Sequence, residues 1–175
     1  MMQKKVQIIS DGSLDLSQEL TKEKDIEVVP FYVSFDSETY QKEMVEVGVR
    51  EFYQEMVDHP TVFPKTSMPS VHDYYEVFEK HAKEKMPVIC ICITRKFSGS
   101  LQSATTAKDM ILEEYPDAQI TVIDSTVNTV LQGLYVLEAC RLRDMGLEYQ
   151  QIVDALLPIR ETGRIFFTIG SIDYL

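Results

Sequence analysis

No stretch of this 175-residue sequence is apolar for long enough to cross a membrane or to serve as a secretory leader. The apolar run nearest the start, Val6 to Ile9, follows Met1-Met2-Gln3-Lys4-Lys5 directly and is far too short for either task. The expectation is a cytoplasmic protein with no integral membrane segment. Basic residues are also in short supply: 17 Lys and Arg face 28 Asp and Glu, for a net charge of −11. Nucleic acid and anionic membrane surfaces are recognised by clustered Lys and Arg, so neither is an expected partner. A local basic site for one small anion stays open.

Cysteine and histidine are sparse, with three of each. Cys90 and Cys92 sit in the apolar run Val88-Ile89-Cys90-Ile91-Cys92-Ile93 and, two apart on a strand, share one face. That spacing suits small buried hydrophobes and suits a mutual disulfide poorly. Reduced cysteines fit a cytosolic compartment. His59, His72 and His81 are dispersed, so no zinc-type ligand set is expected, and no metal site. The sequence has no P-loop and no Gly-x-Gly-x-x-Gly fingerprint, which leaves nucleotide binding without a motif. Linkers rich in Pro, Gly or Ser, low-complexity runs and internal repeats are all missing.

What is present is an ordinary globular composition, 45% hydrophobic and 26% charged, in a chain of one-domain size. Strand and helix patterns alternate. Strands are expected at Val6–Ser10, Ile26–Phe35, Pro87–Ile93, Ala118–Ile123 and Arg164–Ile169, with a short one at Glu38–Tyr40. Helices are expected at Leu16–Lys22, Val49–Val57, from an N-cap at Ser70 to Lys85, from Ser98 to Glu114, at Val127–Met145 and at Leu147–Ile159. Asp58 to Pro69 reads as a loop. The Val127–Met145 helix is apolar almost all round, which predicts deep burial, and Gly146 suits its end. This alternation predicts a three-layer α/β/α fold with a mostly parallel sheet. Residues 1–170 form that domain, and 171–175 read as the first turn of a further, truncated domain. If that domain's covering face were left open, an apolar patch would favour a homo-oligomer.

Ligands in such folds bind beyond the carboxyl ends of the strands. That rule points to Asp11–Ser13, Thr94–Ser100 and Asp124–Thr126, all rich in small hydroxyl residues. Ser98, followed by Gly99, stands between a buried strand and a helix. It either caps that helix or joins its backbone N–H groups in an anion site, since both use one geometry. Pro64-Lys65-Thr66-Ser67-Met68-Pro69-Ser70 is a rigid hydroxyl-bearing loop, either a plain connection or a second arm over the same anion. Asp11 and Asp124 either satisfy helix-start amides or pair as acid and base. No nucleophile–base arrangement is readable, and no catalytic residue is assigned.

Taken in order, these segments resemble the DegV family. Ile8-Ile9-Ser10-Asp11-Gly12-Ser13-Leu14-Asp15-Leu16 is similar to its opening strand and Asp-Ser-Thr-Ala-Asp-Leu turn. Ile26-Glu27-Val28-Val29-Pro30 resembles its second strand, and Lys65-Thr66-Ser67-Met68-Pro69-Ser70 its Thr-Thr-Ser-Gln-Pro-Ser. Ser98-Gly99-Ser100-Leu101-Gln102-Ser103-Ala104 resembles Ser-Gly-Thr-Tyr-Gln-Ser-Ala, and Val122-Ile123-Asp124-Ser125 and the helix holding Gly133 also fit. Gly12 stands where the family has Ser, Met68 for Gln, Ser100 for Thr and Leu101 for Tyr.

The resemblance implies a long-chain fatty-acid carrier with no chemistry and no cofactor of its own. It would present the ligand's carboxylate to a separate fatty acid kinase. Carried over by position, Thr66, Ser98 and Gly99 would hold the carboxylate, with Asp11, Ser13, Ser67, Asp124 and Ser125 in support. The acyl tail would lie in a tunnel between two domains, the second of which adds basic or His groups. The alternatives are a phosphotransferase related to the dihydroxyacetone kinases, with Asp11 and Asp124 holding metal and phosphate, and a regulatory domain for another small anion.

Overall fold

The computed structural model describes residues 6–168. β1 (Gln7–Asp11) is buried at all five positions and runs into a 3₁₀ turn (Gly12–Leu14). α1 (Gln18–Glu23) starts at Ser17, whose hydroxyl accepts from the Leu20 amide at 3.2 Å. β2 (Ile26–Val29) follows, and here the structure departs from expectation. The single strand read over Ile26–Phe35 is two, β2 and β3 (Tyr32–Ser34), which belong to different sheets. Pro30 separates them, since it can donate no ladder hydrogen bond.

β4 is Gln41–Lys42, not Glu38–Tyr40. The Asp36 carboxylate accepts from the Glu38 and Thr39 amides at 2.8 and 2.7 Å, which takes those donors out of any ladder. α2 (Val49–Asp58) buries no residue fully. β5 (Lys65–Ser67) lies inside the stretch read as a loop and pairs antiparallel with β3, giving the small sheet β4-β3-β5.

α3 (Val71–Lys83) begins at Ser70 as expected. The Ser70 hydroxyl accepts from the Asp73 amide at 3.1 Å, and the Asp73 carboxylate accepts from the Ser70 amide at 2.8 Å. Asp73 also accepts from the Tyr32 hydroxyl at 2.8 Å and pairs with the Lys42 ammonium at 3.1 Å, so it ties α3 to the small sheet. Burial pushes its carboxyl up, but donation from Ser70, Tyr32 and Lys42 outweighs burial and holds it at about 2. A folded-state value below the ordinary 3.8 means a stabilising contribution that is present above that value and lost as pH falls through about 2. Urea unfolding followed from about pH 5 down to about pH 2 should therefore show the gap between the protein and Asp73→Asn closing with acid. A gap constant across that range would contradict the assignment.

β6 (Val88–Cys92) is wholly buried, as its unbroken apolar sequence requires of a central parallel strand. α4 (Ser100–Glu114), β7 (Ile120–Asp124), α5 (Thr129–Asp144) and α6 (Tyr149–Ile159) complete the chain of elements. The main sheet has the order β2-β1-β6-β7 and is parallel throughout. Side chains alternate across it. Ile8, Ile89, Ile91 and Ile123 pack with Val136, Ala139, Ile152 and Leu156 of α5 and α6. Ile9, Val88, Cys90 and Cys92 pack with Tyr74, Phe78, Ala104 and Ile111 of α3 and α4. The three-layer α/β/α architecture is the one the alternation implied.

The three cysteines are free and buried, and the sulfurs of Cys90 and Cys92 are 3.7 Å apart on one face. Gly146 ends α5 with φ +87°, as its place after the helix implied. α5 itself is less deeply buried than its composition suggested. It starts at Thr129, and Val130 and Leu134 on its first two turns are 58% and 56% exposed. The strand expected at Arg164–Ile169 is not formed over residues 164–168. That stretch has no ladder partner among the described residues, and Phe166 is 93% exposed. The domain boundary read at residue 171 lies outside the described residues. No helix among them is long and apolar enough to cross a membrane.

Candidate functional site

The carboxyl ends of β1, β6 and β7 converge with the starts of α4 and α5, and the hydroxyl loops read from the sequence gather there. After β6 the chain turns at Thr94, whose carbonyl accepts from the Phe97 amide at 3.0 Å and the Ser98 amide at 3.3 Å. Gly99, not Ser98, is the N-cap of α4. The Ser98 hydroxyl oxygen accepts from the Ser100 amide at 3.2 Å. That bond occupies an acceptor lone pair and leaves the Ser98 O–H proton to point elsewhere.

Thr66 and Ser67 lie exposed on β5, one helix and one strand away in sequence but beside this turn in space. The contact is through Met68: its sulfur would stand 2.6 Å from a Cβ placed on Gly99. A side chain at position 99 would have to push the Met68 tip aside. The Thr66 loop and the Ser98 loop thus meet through Met68 and Gly99.

The acidic residues are placed differently from the acid–base alternative. Asp11 is fully buried at the end of β1. Its carboxylate accepts from the Ile93 amide at 2.9 Å, the Ser100 hydroxyl at 2.7 Å and the Gln132 side-chain amide at 2.8 Å, and also from the Ser13 amide. Burial pushes the Asp11 carboxyl up, against the pull of those donors. Asp124 accepts from the Thr126 amide at 2.9 Å and stands 3.7 Å from Arg95. β6 lies between their strands, so Asp11 and Asp124 sit two strand spacings apart, roughly 10 Å. Ser125 is buried and spends its hydroxyl on the Val127 carbonyl at 2.9 Å, and Ser13 is half-buried in the 3₁₀ turn. Neither reaches the contact between the two loops through a hydrogen bond seen here.

Gln132 and Tyr74 are polar members of the site that sequence reasoning missed, and Ser100 was read only as part of the Thr94–Ser100 segment and the Ser98–Ala104 motif. Gln132 is fully buried and bonds both Ser10 and Asp11. A lone amide on the apolar side of α5 was the signal available for it. The dispersed histidines take no part: His81 is buried against Glu27 at 2.7 Å on α3, far along the helix from Ser70. No group of three metal-ligating residues occurs among the described residues.

Two hollows border the site. One of 1440 Å³ follows the β2 edge, touching Gly12 and Thr66, but Glu19, Lys22, Glu27, Lys80 and Glu43 stand in its wall. The other, of 650 Å³, lies directly beyond β6 and β7, next to Ser98. Phe97, Leu101 and Ile165 give it apolar wall, and around it Arg95, Lys96, Arg160 and Arg164 outnumber Asp124 and Glu161, which stand against Arg95 and Arg160. Its size falls within the range of about 300–1,000 Å³ usual for small-molecule sites.

A three-layer α/β domain with paired hydroxyl loops and a basic-rimmed hollow at its strand ends is the class that fold and site define. The chain belongs to the DegV family: the family model described as "Uncharacterised protein, DegV family" matches residues 5–175. A DegV domain-containing protein of Caldanaerobacter subterraneus is 34% identical over 171 residues, covering 98% of this chain and 59% of its own. Among solved structures, a stearic-acid-binding protein from Eubacterium ventriosum superposes with a TM-score of 0.83 at 46% identity, over 86% of this chain and 52% of its own. A DegV family protein from Thermus thermophilus, solved for its fatty acid binding, gives 0.74 at 29% identity, over 89% and 53%. The chain therefore spans between half and three-fifths of the length of these relatives.

Proposed function

We propose that this protein binds a long-chain fatty acid and presents its carboxylate to a separate fatty acid kinase in the cytoplasm, doing no chemistry itself. The observation that carries this reading is the seating of Met68 on Gly99, which sets the Thr66 and Ser98 hydroxyls on adjoining loops at the strand ends. Two hydroxyl donors and the Gly99 amide suit a carboxylate, and the basic rim raises the local concentration of an anion. The acyl chain then lies against Phe97, Leu101 and Ile165 in the hollow next to Ser98. The larger hollow touches Thr66 and carries Leu14, Val33, Val47 and Phe52 in its wall beside its charged residues, so it is a second apolar surface at the site. Likeness to the two fatty-acid-binding structures above supports the same ligand class. The phosphotransferase alternative is weakened by Asp11, whose oxygens already serve buried donors and which does not meet Asp124.

Native mass spectrometry of the protein purified from bacterial cells, with extraction of bound lipid, tests this. The expected result is one fatty acid per chain, lost in Thr66→Ala/Ser98→Ala. Each lost hydroxyl donor to a charged group should weaken binding by about tenfold. A lipid-free protein that takes up no fatty acid on incubation would move the assignment to another small anion.

A further inference from the structure

Asp11 is the most heavily engaged carboxylate of the site, yet it is fully buried and stands behind the loops proposed to touch ligand. An ionised carboxylate only accepts hydrogen bonds. The single proton of the Ser100 hydroxyl therefore goes to Asp11, 2.7 Å away. Ser100 is also 2.7 Å from the Tyr74 hydroxyl, and with its own proton committed it must accept there. The chain of donation runs from Tyr74 to Ser100 to Asp11.

Each link sits on a different element, and two of those elements begin at the site's loops. Tyr74 lies one turn into α3, whose cap, Ser70, closes the Thr66 loop. Ser100 opens α4, and its amide is the donor that fixes the Ser98 hydroxyl. The Ile93 amide, immediately before the Ser98 turn, also donates to Asp11. Gln132 holds the remaining oxygen from the opposite layer. One buried carboxylate thus fastens both arms of the site to the central strand.

We propose that Asp11 is a positioning residue that sets the spacing of the Thr66 and Ser98 hydroxyls through Ser100 and Tyr74, without touching the ligand. This rests on the carboxylate reading given under Proposed function. Asparagine at position 11 has the same shape but only one acceptor oxygen. Its NH₂ must face either the Gln132 amide or the donors Ile93 and Ser100, and a buried donor left without an acceptor is destabilising. The loops can relieve that clash by moving, and the ligand's carboxyl end is where the movement is felt.

The test compares dodecanoate with dodecan-1-ol by calorimetric titration of the protein, Asp11→Asn, Ser100→Ala and Ser98→Ala. Both ligands bury the same tail, so the ratio of their affinities reports the carboxylate end alone. Circular dichroism fixes a temperature at which every variant is folded. The expected result is that Asp11→Asn and Ser100→Ala each lower the preference for the acid by about tenfold while affinity for the alcohol holds. A purely structural role would lower melting temperature and leave that ratio alone. An unchanged ratio in folded Asp11→Asn, with Ser98→Ala abolishing it, overturns the positioning role and spares the carboxylate reading. No preference for the acid in the unmutated protein overturns both. Should Asp11→Asn fail to fold, Ser100→Ala and Tyr74→Phe cut the same chain of donation and decide the matter by the same ratio.

Discussion

Gly133→Val should destabilise the protein by about 2–3 kcal/mol, seen as a lower urea midpoint with an unchanged slope. Two effects oppose each other at this position. Glycine inside a helix is poor, so any side chain gains a few tenths of a kcal/mol to about 1 kcal/mol of propensity. Space decides against it. A Cβ on Gly133 would stand 2.4 Å from the Leu14 carbonyl oxygen and 2.8 Å from a Leu16 methyl. The first obstacle is backbone, within the 3₁₀ turn that follows β1, and it cannot swing aside as a side-chain tip can. Next to Gly133 in sequence, Gln132 donates to Asp11. Lifting α5 off the turn would pull that donor away, so the variant should lose ligand preference as well as stability. A gain in stability would mean that the helix and the turn are not in this contact.

The same position shows what the sequence did and did not disclose. Alternating strand and helix patterns were enough for the parallel sheet and its two helical layers, because each element's apolar period is a local property. Ser70 as a cap and Gly146 as a helix end were legible for the same reason. The larger failures were matters of partnership. Ile26–Phe35 has one alternating pattern but feeds two sheets, and nothing local marks where β2 leaves one and β3 joins the other except Pro30. Lys65–Ser67 looks like loop because its residues are polar, yet an exposed three-residue strand needs only a partner, and β3 supplies it. Residues 164–168 show the converse, strand-like sequence with no ladder to join. Hydroxyls in the site were visible as a composition at strand ends. The donors that saturate Asp11 were not, because Ile93, Ser100 and Gln132 are 82, 89 and 121 residues away.

Phe78→Ala should be the most damaging single substitution on the other face of the sheet, at about 3–5 kcal/mol. Phe78 is fully buried in the layer formed by α3, α4 and the sheet, with its ring 5.8 Å from that of Tyr74. Truncation removes the transfer free energy of the ring and leaves a hole whose walls are anchored. β6 lies within the sheet between β1 and β7, and α4 is held at Ser100. Neither can collapse into the space, which places the cost toward the upper end of that range. Total stabilities of domains are commonly about 5–15 kcal/mol, so the variant keeps only part of its margin. Denaturant unfolding followed by circular dichroism measures this directly. A loss below about 1 kcal/mol would mean that the α3 layer repacks freely. A repacking layer could not hold Tyr74 at a fixed distance from Ser100, and the fastening of the two loops to Asp11 would lose its rigid support.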